Sequence, residues 1–110
     1  MLGWTVEPGE HSTVVHVSGE IDIATQPDFE EAMRTGMRSG ALVVIVDLDK
    51  VTFMSSVGLR VLLQVHADAQ QAGRSVRVAG MSPIVRRIID VTGLGQVLAV
   101  YPSIEEAETR

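Results

Sequence analysis

Ser55 and Ser56 stand side by side between a wholly apolar run and the first residues of an amphipathic one. Two kinds of chemistry use hydroxyls at such a junction. A serine can cap a helix, its oxygen accepting a hydrogen bond from a free backbone N–H, or it can act as a nucleophile when a base is held beside it. Only one of two adjacent residues can be the cap, so the other has a further reason to be there or none. Gly58, just behind, would let another segment approach the turn closely. Nucleophilic catalysis has little support. The Gly-x-Ser-x-Gly elbow of hydrolases is absent, and the only imidazoles are His11, His16 and His66. His16 falls on a strand face and His66 lies mid-helix, two turns or more beyond Ser56.

The remaining reactive residues offer less. No two histidines have ligand spacing and no carboxylate pairs with one, so no metal site is expected. Gly93-Leu94-Gly95 lacks the lysine and the hydroxyl of a phosphate loop. Asp47, at the end of an apolar run, has the placement of a receiver-domain phosphoacceptor. The clustered acids and distant lysine of such a site are missing, since Lys50 is the only lysine. Arg86-Arg87 reads as a solvated helix face. Asp22 and Thr25 precede a helix and read as its capping loop. No catalytic residue and no cofactor is expected.

The elements that must position the serines follow from hydrophobic period. Leu42 to Val46 is continuously apolar and β-branched, as in a strand buried on both faces, and it closes at Asp47. A short polar connector is expected next, then a helix over about Val57 to Ala72. Gly58, Val61, Leu62, Val65, Ala69 and Ala72 share its apolar arc, Leu59 and Leu63 lie at the margin, and Gly73 ends it. The serines therefore sit beyond the carboxyl end of a central strand, where open α/β sheets place their working sites. Before this unit, Trp4 to Val6 reads as an edge strand, Thr13 to Ser18 as a second strand, and Ile21 to Ile23 as a third after a bend at Gly19-Glu20. Strands that close leave no room for a helix, so the sheet is mixed and opens as a meander. Pro27 opens a helix capped by Thr25 or Gln26, with Phe29, Ala32, Met33, Gly36 and Met37 on one stripe. After the serine-led helix come a strand over Ser75 to Ala79 with Arg74 and Arg77 outward, and a helix over Ile84 to Thr92 capped by Ser82. A strand over Val97 to Tyr101 follows, then a short helix from the capping box Ser103 to Glu106. The fold class is α/β: one small domain over residues 1–110, a mixed β-sheet with helices packed against it.

Composition agrees with a single globular unit. At 110 residues the chain can bury roughly two thirds of its unfolded surface. With 45% hydrophobic and 21% charged residues it is not disordered, and with four aromatic residues its core must be aliphatic. It has no cysteine, which removes disulfides and thiolate chemistry together. A net charge of −5 argues against direct nucleic-acid binding. No run is long enough to span a membrane and the N-terminus lacks a signal-peptide pattern, so a cytoplasmic protein is expected.

At Val51-Thr52-Phe53-Met54-Ser55-Ser56-Val57-Gly58-Leu59 the chain resembles the STAS domain family, in particular its bacterial anti-sigma factor antagonists. Gly19-Glu20-Ile21-Asp22 followed by Pro27-Asp28-Phe29 is similar to that family's opening. Val46-Asp47-Leu48 belongs to its centre and Arg77-Val78-Ala79-Gly80 to its closing βα unit. The family usually carries Asp-Ser-Ser-Gly or Asp-Ser-Thr-Gly at this helix, and the serine after the aspartate is phosphorylated. Here the aspartate position is Ser55, the phosphoacceptor position is Ser56 and the second hydroxyl position is Val57. The resemblance implies a STAS-like fold and a partner switch. The antagonist binds an anti-sigma factor serine kinase, which holds the ATP, and frees a sigma factor. Phosphorylation of Ser56, or alternatively Ser55, releases it, and a serine phosphatase resets it. Asp22, Thr25, Ser55, Ser56, Gly58, Leu59 and Leu63 would then line the partner-binding surface of a monomer or weak dimer. A non-switching scaffold, or an accessory subunit of a signalling or membrane transport complex, is the alternative.

Overall fold

Alternation along the strands decides which side of the sheet carries the core. In the computed structural model, which describes residues 1–109, β1 (Leu2–Pro8) runs antiparallel to β2 (Ser12–Ile21). After α1 (Gln26–Arg38), β3 (Val43–Met54) lies parallel to β2. Then follow α2 (Ser56–Gln71), β4 (Ser75–Ala79), α3 (Pro83–Thr92), a 3₁₀ turn over Leu94–Gln96, β5 (Ala99–Tyr101) and α4 (Ile104–Thr109). Strand order is β1-β2-β3-β4-β5, with every pair after the first parallel, so the sheet is mixed as the sequence predicts. Val15 and Val17 of β2, Val44, Val46 and Leu48 of β3, and Val76 and Val78 of β4 point to one face. There they meet Phe29 and Met33 of α1, Leu62 and Val65 of α2, and Val85 and Ile89 of α3 in one aliphatic core. On the other face Val14, Ile45 and Ala79 pack against Ala107 of α4. No helix among the described residues is long and apolar enough to cross a membrane.

Several boundaries differ from the pattern reading, each for a local reason. The bend at Gly19-Glu20 does not end a strand. Gly19 takes φ +103°, and a Cβ there would collide with the Met1 carbonyl, so β2 continues past it to Ile21. Ile23, read as part of a third strand, is 77% exposed in the turn that follows. The expected connector after Val46 is strand as well. His16 pairs with Asp47 and Ser18 with Lys50, so two steps on β2 span three on β3; a second slip separates Gly19–Val51 from Glu20–Phe53. These bulges let both Leu48 and Val51 face the core while Asp49 and Lys50 stay exposed, which destroys the alternation a strand should show. Leu42 is exposed and lies before β3.

Further along, α2 ends at Gln71, and Ala72, expected on the buried arc, is its exposed C-cap. Arg74 and Arg77 do not point into solvent. Arg74 donates to the Ala41 carbonyl through Nε at 2.9 Å and a terminal nitrogen at 2.7 Å. Arg77 lies over the Tyr101 ring at 5.5 Å and donates to the Ala107 carbonyl beneath α4. The last strand begins at Ala99 rather than Val97, which is 54% exposed after the 3₁₀ turn.

Candidate functional site

The serine turn is held from beneath by the ends of two neighbouring parallel strands. Ile21 and Met54 form the last β2–β3 pair, and the next amide, Ser55 N–H, donates to the Ile21 carbonyl at 2.8 Å. That bond fixes the Asp22–Thr25 turn beside the start of α2. Ser55 is the N-cap residue in an extended conformation, φ −89° and ψ 177°, and its carbonyl accepts from the amides of Gly58 at 3.0 Å and Leu59 at 3.4 Å. Gly58 is needed because a Cβ there would lie 2.7 Å from Ile21 Cγ2 and 2.9 Å from Met54 Cγ. The first turn of α2 thus rests directly on the strand ends. Ser82 adds a tie from the next crossover. Expected as a side-chain cap for α3, it instead donates its buried hydroxyl to the Val51 carbonyl at 2.6 Å.

The two serines have opposite surroundings. Ser55 Oγ is buried, caps no amide and has no partner among the described residues. Ser56, the first residue of α2, is exposed, and its hydroxyl makes no bond to the described residues. Of the two hydroxyls, a protein approaching from solvent meets Ser56.

Asp22 and Thr25 form a closed turn. Asp22 Oδ1 accepts the amides of Ala24 and Thr25, each at 3.0 Å, while the Thr25 hydroxyl accepts Asp22 N–H at 2.9 Å and donates to the Glu20 carbonyl at 2.8 Å. Thr25 occupies the N-cap position of α1 without making a side-chain cap bond, and it is 9% exposed. Both residues shape this edge from inside. Gly58 is likewise buried, and Leu59, at 7% exposure, has joined the core; Leu63 is half-buried against that core. Of the seven residues assigned to a binding surface, Ser56 is exposed and the others are half-buried or buried.

Two apolar side chains of the flanking segments are exposed. Ile23, between Asp22 and Thr25, is 77% exposed, and Phe53, paired on β3 opposite Glu20, is 43% exposed. Sequence reasoning reaches Ile23 only as part of the Asp22 to Thr25 loop and misses Phe53, because an apolar residue beside a strand run reads as part of the strand. Their signal is position, one in the turn before α1 and the other two residues before the serines. Among the described residues no group of three or more His, Asp or Glu side chains is placed to hold a metal ion.

The fold and the site define a small α/β domain whose parallel strands end at one free hydroxyl and exposed apolar side chains. The chain belongs to the STAS domain family, whose model matches residues 4–107. It is 30% identical over 109 residues to anti-sigma-F factor antagonist RsfB of Mycobacterium tuberculosis, covering 96% of this chain and 87% of that one. It is 29% identical over 91 residues to an anti-sigma-B factor antagonist of Staphylococcus aureus, with 83% and 84% covered. A crystal structure of an anti-sigma factor antagonist from Mycobacterium paratuberculosis superposes with a TM-score of 0.84 at 32% identity, covering 99% of this chain and 92% of that chain.

Proposed function

We propose that this chain is an anti-sigma factor antagonist whose docking is switched by phosphorylation of Ser56. It binds an anti-sigma factor that is itself an ATP-dependent serine kinase, and the bound anti-sigma factor gives up its sigma factor. The kinase joins the γ-phosphorus of ATP to Ser56 Oγ, the hydroxyl proton passes to a base of the kinase, and ADP leaves. The modified antagonist dissociates, and a serine phosphatase restores the hydroxyl.

The observation that carries this reading is the contrast at the turn, an exposed, unbonded Ser56 hydroxyl beside a buried Ser55 oxygen. The relatives named above support the class of partner. Electrostatics supports the switch. A phosphoserine adds nearly two negative charges at neutral pH. At the N-terminus of α2 those charges meet the positive end of the helix dipole, so the helix tolerates them. A partner seated over Ile23, Phe53 and Ser56 would have to bury that dianion unpaired, which costs about 2–5 kcal/mol of affinity.

The test is to mix the chain with its cognate anti-sigma factor and ATP, locate phosphate by mass spectrometry, and follow the complex by analytical ultracentrifugation. Phosphate should appear on Ser56 as the complex falls apart. Ser56→Ala should remain bound and unmodified, and Ser56→Glu should bind more weakly. Phosphate confined to Ser55, or a complex that persists after Ser56 is modified, overturns the reading.

A further inference from the structure

His16 projects from the middle of β2 onto the sheet face opposite the main core, and its ring lies between two carboxylates on different strands. Nδ1 is 2.8 Å from Asp47 Oδ2 on β3, and Nε2 is 3.0 Å from Glu7 Oε1 on β1. A neutral imidazole has one N–H and one lone pair, so it can donate to one carboxylate and must turn its lone pair on the other. The imidazolium donates to both. Asp47 is the residue on which the first β3 bulge turns. Its second oxygen, Oδ1, accepts the Asp49 amide at 3.1 Å, inside the stretch where β3 slips against β2. The exit of β4 closes over the same carboxylate, since a Cβ on Gly80 would lie 2.8 Å from Oδ1.

We infer that Glu7, His16 and Asp47 form a proton-operated brace. With the imidazole doubly protonated, β1, β2 and β3 are tied across the open face, and the carboxylate that shapes the β3 bulge is pinned. When the proton leaves, one of the two ties is lost. The charged groups around the ring account for its preference. Glu7 from β1 and Asp47 from β3 favour the imidazolium. Lys50 from β3 lines the same hollow with Thr5 and Ser18. Glu108 of α4 lies beyond Glu7, where it accepts a hydrogen bond from Ser12. The hydrogen bonds to Glu7 and then Asp47 hold the His16 pKa above its ordinary 6.5, against a smaller downward effect of burial. Because the folded value is raised, the brace contributes its full stability below pH 6.5, the value of an unperturbed histidine, and loses it as pH rises through the folded value.

The experiment is an NMR titration of the full chain from about pH 5.5 to 9. His16 should titrate above the ordinary 6.5 with both ring nitrogens protonated at the acid end, and the Asp49 amide should shift with the His16 midpoint. Glu7→Gln removes a charge from an exposed side chain, and Asp47→Asn keeps the shape of the other partner. Each should lower the His16 midpoint and flatten the decline of Tm with rising pH. A His16 midpoint at or below the ordinary 6.5, or an Asp49 amide that ignores it, overturns the brace. So does an unchanged His16 midpoint in Glu7→Gln, even if Asp47→Asn does not fold.

Discussion

At the level of single atoms, the serine turn separates two tasks that hydroxyls at a helix start often combine. A capping serine satisfies an amide of the first turn, and replacing it by alanine typically costs about 1 kcal/mol. Ser55 occupies the N-cap, yet its oxygen bonds none of the described residues and is sealed from water, so it carries a desolvation cost without the return of a hydrogen bond. Ser55→Ala is therefore expected to shift stability by no more than about 0.5 kcal/mol in either direction, read from the urea midpoint, because it removes an unsatisfied group and no bond. A loss of about 1 kcal/mol or more would mean that the oxygen caps α2 after all. The pair itself, and its place at a strand-to-helix junction, could be read directly from residue types. Which of the two faces solvent could not, since a one-residue difference at a helix start decides it.

At the level of elements, the close seating of α2 on β2 and β3 sets the geometry of the site, and Gly58 is where it is closest. Alanine in place of glycine favours a helix interior by up to about 1 kcal/mol. Against this, the added methyl would meet Ile21 Cγ2 at 2.7 Å and Met54 Cγ at 2.9 Å, and both side chains are buried. Overpacking of that kind costs about 1–3 kcal/mol and should win. Gly58→Ala is expected to be less stable by about 1–2 kcal/mol in urea unfolding, with Ile21 and Met54 methyl resonances displaced. The amphipathic period of α1 and the serine-led start of α2 were legible because each obeys one repeat. The length of β3 was not, because Leu48 and Val51 are both buried three residues apart, a spacing produced by bulges that only the β2 partner reveals. Ile23 was misplaced for a related reason. Glycine at position 19 reads as a break, but its positive φ lets the strand run on and moves the following turn two residues later.

Across the whole molecule, the mixed sheet distributes stability unevenly, and the site lies where two regimes meet. Val44, Ile45 and Val46 look alike in the sequence, and the sheet gives them a shared setting. Over these three residues β3 is paired on one side with β2 and on the other with β4. All three side chains are fully buried, two under the α1–α2 face and one under α4. Each of their amides donates to β2 or to β4, and freeing it means pulling a core strand away from the centre of the sheet, which is global unfolding. By contrast β5 is three residues long and paired along one edge, and α4 is six residues long with Ala107 as its only fully buried side chain. Hydrogen exchange should therefore show the amides of 44–46 protected at the full free energy of unfolding, and those of β5 and α4 opening at a fraction of it. Past Asp47, β3 is paired with β2 alone, and its bulges loosen that ladder on the way to Ser55. Residues 48–54 should exchange at an intermediate level, faster than 44–46 although they belong to the same strand. Uniform protection from residue 44 to residue 54 would show that the bulges cost the ladder nothing and that the serine turn is as rigid as the sheet centre.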